Sequence, residues 1–96
     1  MLGYVENTIK QEHIKRQLDD NTFYDINLRL INTKYNYAII MKIKEYRCGE
    51  LNRSKTQTYN KFDKIKEDKS AAEFLFDVTH EQLMIMDEYD LKNFFI

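Results

Sequence analysis

Few side chains in this 96-residue chain are of the types that carry enzymatic chemistry. There are two histidines, His13 and His80, and a single cysteine, Cys48. Cys48 follows Arg47, a neighbour that favours the nucleophilic thiolate, and a histidine could act as the base. No spacing connects either histidine to Cys48. We therefore interpret Cys48 as a small apolar residue at the end of a strand.

Carboxylate pairs are the other candidates for catalysis. Asp19 with Asp20, and Glu88 with Asp90, have the residue types for acid–base work, but adjacent acids are ordinarily solvated surface. The chain contains no Cys-x-x-Cys or His-Glu-x-x-His spacing of a zinc site, and neither of its two glycines lies in a phosphate-binding loop. We predict a protein that is not an enzyme and that uses no metal or cofactor.

Charge is sorted along the chain. Residues 34–69 carry a net charge of +5 and residues 70–96 a net charge of −5, whereas residues 1–33 carry −1. Such asymmetry bears on partners and association rather than on the fold.

The acidic segment supports the leading hypothesis, a surface that contacts a host protein with a basic surface. Charge complementarity guides the encounter, while aromatic anchors provide affinity. The candidate contact residues are Asp77, Glu81, Asp87, Glu88, Tyr89, Asp90, Phe94 and Phe95. The same rings could instead belong to the core, or the last helices of two copies could pack together in a homodimer.

The basic segment supports an alternative, a nucleic-acid-binding protein that uses residues 44–64. Cations neutralise phosphates, and rings stack on unpaired bases. The candidates are Lys44, Tyr46, Arg47, Arg53, Lys55, Tyr59, Lys61 and Lys64. These lysines could equally pair with the acidic C-terminal segment.

Composition indicates the source and location of the protein. Lys, Asn, Ile and Tyr, which have AT-rich codons, account for 36 of 96 residues. This bias is typical of phage and mobile-element genes and favours an inhibitor of a host defence or nucleic-acid-processing factor. The N-terminus does not resemble a signal peptide, and no apolar run approaches about 18 residues. We expect a cytoplasmic protein without a membrane span.

The length predicts one domain over residues 1–96. Thr8 and Gln11 resemble a capping box and predict a helix over residues 9–18. Alternating apolar residues over 24–30 and 35–43 predict an antiparallel hairpin that ends near Arg47. Residues 49–69 contain a probable third strand.

The C-terminal part is predicted to be helical. Residues 70–78 fit either a helix or a strand. Thr79 and Gln82 form a second capping-box pattern, which predicts a helix from His80 to at least Met86 that either breaks near Asp87 or is buried on several sides. The expected fold is α+β, a small antiparallel sheet covered by N- and C-terminal helices.

Overall fold

The computed structural model describes residues 6–96 of the chain. Four strands form one antiparallel sheet in chain order, and two helices follow them. The strands are β1 (Asn7–Gln17), β2 (Thr22–Asn32), β3 (Asn36–Arg47) and β4 (Glu50–Asp63), and the helices are α1 (Lys69–Ile85) and α2 (Glu88–Asn93). The α+β class is confirmed. Neither helix is long and apolar enough to cross a membrane.

The predicted hairpin is formed by β2 and β3 and supplies most of the core. Every second residue of each strand is buried, and these residues face one another across the pair: Ile26 with Ile43, Leu28 with Met41, and Leu30 with Ile39. The alternation that predicted these strands is therefore confirmed. The probable third strand is also present as β4, which pairs with β3.

The predicted N-terminal helix is wrong, because this segment forms strand β1. Ile14 is its one buried residue, and a helix would have offered the sheet little more than Ile14 and Leu18. As a strand, the segment satisfies the backbone groups along the free edge of β2, with Ile14 paired to Ile26. Backbone pairing with β2 overrides the local helical signal.

The predicted start of the C-terminal helix is also wrong. Helix α1 begins at Lys69, where the Asp68 carboxylate accepts a hydrogen bond of 2.8 Å from the Ala71 backbone N–H. Thr79 lies buried in the middle of the helix, and its hydroxyl donates to the Leu75 carbonyl at 2.8 Å. Residues 70–78 are thus helical. Helix α1 ends at Ile85, with Met86 as its C-cap, and Asp87 is the N-cap of α2.

Both helices pack on the same face of the sheet, which we call the helix side. Helix α1 buries Ala72, Phe76, Thr79 and Leu83 there, and α2 buries Leu91. No described helix lies on the opposite face, which we call the open sheet face. Its residues, set by the register, are Thr8, Gln11, His13, Lys15, Gln17, Phe23, Asp25, Asn27, Arg29, Ile31, Ala38, Ile40, Lys42, Lys44, Tyr46, Leu51, Ser54, Thr56, Thr58 and Lys61.

A two-residue turn joins β3 to β4. Cys48 and Gly49 both have positive φ, 52° and 81°, between the paired residues Arg47 and Glu50. Such hairpin turns favour Asn-Gly, since a side chain with a Cβ is strained in the left-handed region. Cys48 is exposed in this turn rather than packed as an apolar residue.

We predict that Cys48→Asn stabilises the protein by up to about 1 kcal/mol, because Asn tolerates the left-handed conformation. Gly49→Ala should destabilise it by about 1 kcal/mol through backbone strain alone, since the added Cβ would meet no atom within 4 Å. Urea denaturation midpoints measure both effects. A lower midpoint for Cys48→Asn would contradict this account of the turn.

Candidate functional site

Helix α1 is held on the sheet by its buried face and by Arg16 of β1. The Arg16 guanidinium donates to the backbone carbonyls of Leu83, at 2.7 Å, and Met86, at 2.5 Å. Carbonyls at a helix C-terminus have no hydrogen-bond partner within the helix and carry partial negative charge. A guanidinium there supplies both the missing donors and a compensating positive charge. This contact holds the C-terminal end of α1 against β1.

The outward face of α1 carries a second apolar row. Its residues follow a 3-4-3-4 spacing, the spacing of a helix seam that packs on another helix. Phe74 is 69% exposed and Ile85 is 82% exposed. We call this row the outer seam; it comprises Ala71, Phe74, Val78, Glu81 and Ile85.

A shallow depression of about 560 Å³ lies beside the C-terminal half of the outer seam. Val78, Met84 and Ile85 supply most of its apolar wall, and His80, Glu81 and Gln82 complete it. Met84 is exposed, as is Tyr89 on the neighbouring helix α2. Large apolar side chains that cluster on a surface mark interaction sites, whereas isolated ones need no explanation.

Within the part of the chain that the structure describes, Glu81 lacks the ion pair that three other acids of the two helices form. Asp77 pairs with Lys10 at 2.8 Å, and Glu88 pairs with Lys92 at 2.5 Å. Glu73 lies 3.8 Å from Lys69. Glu81, in the outer seam, forms no ion pair with any residue in the range 6–96.

The structure divides the eight predicted protein-contact residues into two groups. Asp77 and Glu81 lie on the outer part of α1, and Asp87, Glu88, Tyr89 and Asp90 are exposed around the start of α2. Phe94 and Phe95 instead pack against the core. The residues Phe74, Val78 and Ile85 were not among the predicted contacts, although their spacing is visible once the helix is known to begin at Lys69.

The structure separates the predicted nucleic-acid residues onto different faces. Lys44, Tyr46 and Lys61 belong to the open sheet face. Arg53, Lys55 and Tyr59 lie on the helix side, since β4 alternates between the two faces. Arg47 ends β3, and Lys64 follows β4 with its ammonium 5.9 Å from the Tyr37 ring centroid. This set does not form one surface.

Arg53 is engaged in a buried network around Glu45, which is 0% exposed. The Glu45 carboxylate accepts hydrogen bonds from the Tyr24 hydroxyl at 2.5 Å, from the Asn52 amide at 2.6 Å, and twice from the Arg53 guanidinium at 3.1 Å. The guanidinium also lies 4.2 Å from the Phe95 ring centroid. The network ties the C-terminal segment to the sheet.

These contacts shift the ionisation of the network. Burial alone would raise the pKa of Glu45, but hydrogen bonds from Tyr24, Asn52 and Arg53 outweigh burial and lower that pKa to about 2. Burial, followed by the hydrogen bond to Glu45, raises the pKa of Tyr24 to about 12. Glu45 therefore remains ionised and Tyr24 protonated across the neutral range.

No catalytic arrangement is visible in the described part of the chain. His13 bonds to Asp25 on the open sheet face, and His80 lies 3.9 Å from Glu12. Within residues 6–96, no group of three or more His, Cys, Asp or Glu side chains is placed to hold a metal ion.

No protein-family model, curated protein or solved structure matches this chain. The fold itself creates two candidate binding surfaces, the outer seam and the open sheet face.

We predict an acid-sensitive stability that depends on Glu45. Because its folded pKa lies below the unfolded value of about 4.3, Glu45 stabilises the fold above that pH, and the contribution is lost as the pH falls towards 2. The loss should approach roughly 3 kcal/mol. Glu45→Gln should lower stability at pH 7, since it leaves Arg53 without its carboxylate, and should flatten this acid dependence.

Glu50→Gln is the matched control, because Glu50 is an exposed acid on the next strand. Urea denaturation at pH 7 and pH 3 compares the variants. If Glu45→Gln and Glu50→Gln have equal stabilities at both pH values, the Glu45 network does not contribute to stability.

Proposed function

We propose that this protein is a small, non-enzymatic binding domain whose outer seam on α1 docks on another protein. The observation that supports this most directly is a helix with apolar residues on two opposite faces. One face, with Phe76 and Leu83, is buried on the sheet. The other, with Phe74 and Ile85, is exposed over a length of about 21 Å.

The chemistry of the partner follows from Glu81. A carboxylate in the middle of an apolar contact must be compensated, because leaving an ion buried and unpaired is strongly destabilising. The complementary surface is therefore apolar with a Lys or Arg opposite Glu81. Asp77, Glu88 and Asp90 at the margin add a negative field that favours encounter with a basic protein.

The same residue disfavours a homodimer through the outer seam. In a parallel pair of α1 helices, Glu81 would face its own copy. In an antiparallel pair that aligns Phe74 with Ile85, Glu81 faces Val78 and the two carboxylates lie about 4.5 Å apart along the axis. Neither arrangement brings a seam cation to them, so we infer that the partner is a different protein.

The bias towards residues with AT-rich codons extends this proposal to a phage or mobile-element product that occupies a host protein. The basic counterpart would then be a defence or nucleic-acid-processing factor, a class in which basic surfaces are common. The outer seam supports the binding mode; the source and the partner's class rest on composition and charge alone.

We predict that Phe74→Ser with Ile85→Ser, and separately Glu81→Lys, each weaken binding to the partner at least about 30-fold, the effect expected of central contact residues. The partner is first captured from a lysate of the cell that carries the gene and is then purified for titration calorimetry. Tyr35→Ser with Ile65→Ser removes exposed apolar side chains elsewhere and should leave affinity unchanged. If the seam variants bind like the control, the outer seam is not the contact.

We also predict that Glu81→Leu promotes self-association, because it completes the apolar seam. Sedimentation equilibrium should show the unsubstituted protein at its 11.7 kDa chain mass and the variant shifting towards twice that mass as concentration rises. A concentration-dependent dimer of the unsubstituted protein that Glu81→Leu does not strengthen would contradict the heterologous partner.

A further inference from the structure

The cations of this protein differ in pairing between the two faces of the sheet. On the helix side, Lys10 pairs with Asp77, Arg53 with Glu45, and the Lys55 ammonium donates to the Ile96 carbonyl at 3.3 Å. On the open sheet face, no described residue forms an ion pair or a hydrogen bond with the ammonium of Lys15, Lys42, Lys44 or Lys61. Most of the uncompensated positive charge of the sheet therefore lies on one face.

The register places three of these lysines close together. Lys15 and Lys44 lie on either side of Asp25 in one cross-strand row, about 10 Å apart. Lys42 lies in the next row, about 7 Å along the strand from Lys44. The lysines Lys42 and Lys44 line a depression of about 270 Å³, together with His13, Asp25 and Asn27.

Asp25 does not cancel this charge. It is a single carboxylate among three lysines, and it is already engaged by His13. Arg29, in the row beyond, is bound to Glu6 and adds no free charge. The cluster thus keeps a net positive charge of about two elementary charges on a surface that no described helix covers, where it attracts an anionic ligand.

An aromatic pair distinguishes a nucleic acid from other anions. Phe23 and Tyr46 are cross-strand partners on the open sheet face, with ring centroids 4.8 Å apart and an interplanar angle of 6°. They occupy the row next to Lys44. Rings beside a cationic groove provide stacking surfaces for unpaired bases, a contact that an acidic polypeptide does not use.

We propose that the open sheet face binds single-stranded nucleic acid, with phosphates on Lys15, Lys42 and Lys44 and a base against the Phe23–Tyr46 pair. Of the residues that the sequence suggested for this role, Lys44 and Tyr46 belong to the surface, whereas Arg53, Lys55 and Tyr59 lie on the helix side. The outer seam is on the other side of the sheet, so a nucleic acid and a protein partner can be bound together. This proposal does not depend on the outer seam.

The test is fluorescence anisotropy of a labelled oligothymidylate of about 15 nucleotides with the full chain, at salt concentrations from about 50 to 200 mM. Three neutralised phosphates predict a log–log slope of about −2 and an affinity loss of about 20-fold over this range. Lys15→Ala, Lys42→Ala and Lys44→Ala combined should abolish most of the binding and flatten the slope. Tyr46→Ala should weaken binding at least about fivefold.

A control with the same change in net charge combines Lys55→Ala, Lys69→Ala and Lys92→Ala, all on the helix side, and should retain the affinity. Circular dichroism and urea denaturation verify that each variant is folded. The proposal is overturned if the oligonucleotide does not bind at 50 mM salt, or if both triple variants lose affinity equally. Poly-L-glutamate that competes as well as oligothymidylate would also overturn it, because the face would then recognise charge alone.

Discussion

The structure depends on one packing constraint: the 17-residue helix α1 and the six-residue helix α2 must together cover the apolar face of a four-stranded sheet. The strands alternate, so β2 and β3 direct one set of side chains at α1 and the other set away from it. Because α1 and α2 both lie on the helix side, the opposite face must be polar enough to remain in water. Its Lys, Asp, Asn and His side chains meet that requirement, and they also make it a surface on which an anion can bind.

Polar contacts add to the apolar contacts that hold α1 and the C-terminal segment on the sheet. The Arg16 guanidinium donates hydrogen bonds to the backbone carbonyls at the end of α1. The Glu45 carboxylate accepts hydrogen bonds from Tyr24, Asn52 and Arg53 beneath the C-terminal segment. A fully buried carboxylate is favourable only when its hydrogen bonds are complete, and here both oxygens are bonded. The residues of the network therefore stabilise the fold. From the sequence alone, Arg53 was a candidate for binding phosphate.

Orientation of α1 is what creates the proposed protein-binding surface. With Phe76 and Leu83 turned to the sheet, the residues half a turn away, Phe74 and Ile85 among them, are forced outward. Apolar side chains on the outside of a helix that already has a core-facing stripe are not needed for folding. Glu81 within that row makes pairing with an identical helix unfavourable and pairing with a cation-bearing surface favourable. The outer seam and the lysine cluster of the open sheet face thus lie on opposite sides of the sheet.

The sequence alone determined the central hairpin, β4 and the α+β class. Strict alternation of apolar and polar residues over β2 and β3 indicates locally which side chains face the core. It did not determine β1, whose weak helical pattern was overridden by backbone pairing with the edge of β2, nor the start of α1, because Thr79 resembles a cap as readily as a buried mid-helix residue.

The grouping of surface residues was decided only by the tertiary structure. Arg53 and Lys61 are close in sequence, yet the pleat of β4 and its bulge assign them to opposite faces, and Lys15 joins Lys42 and Lys44 only through strand pairing. The register between strands decides which of these residues lie side by side. That register is a long-range property that no local sequence pattern specifies.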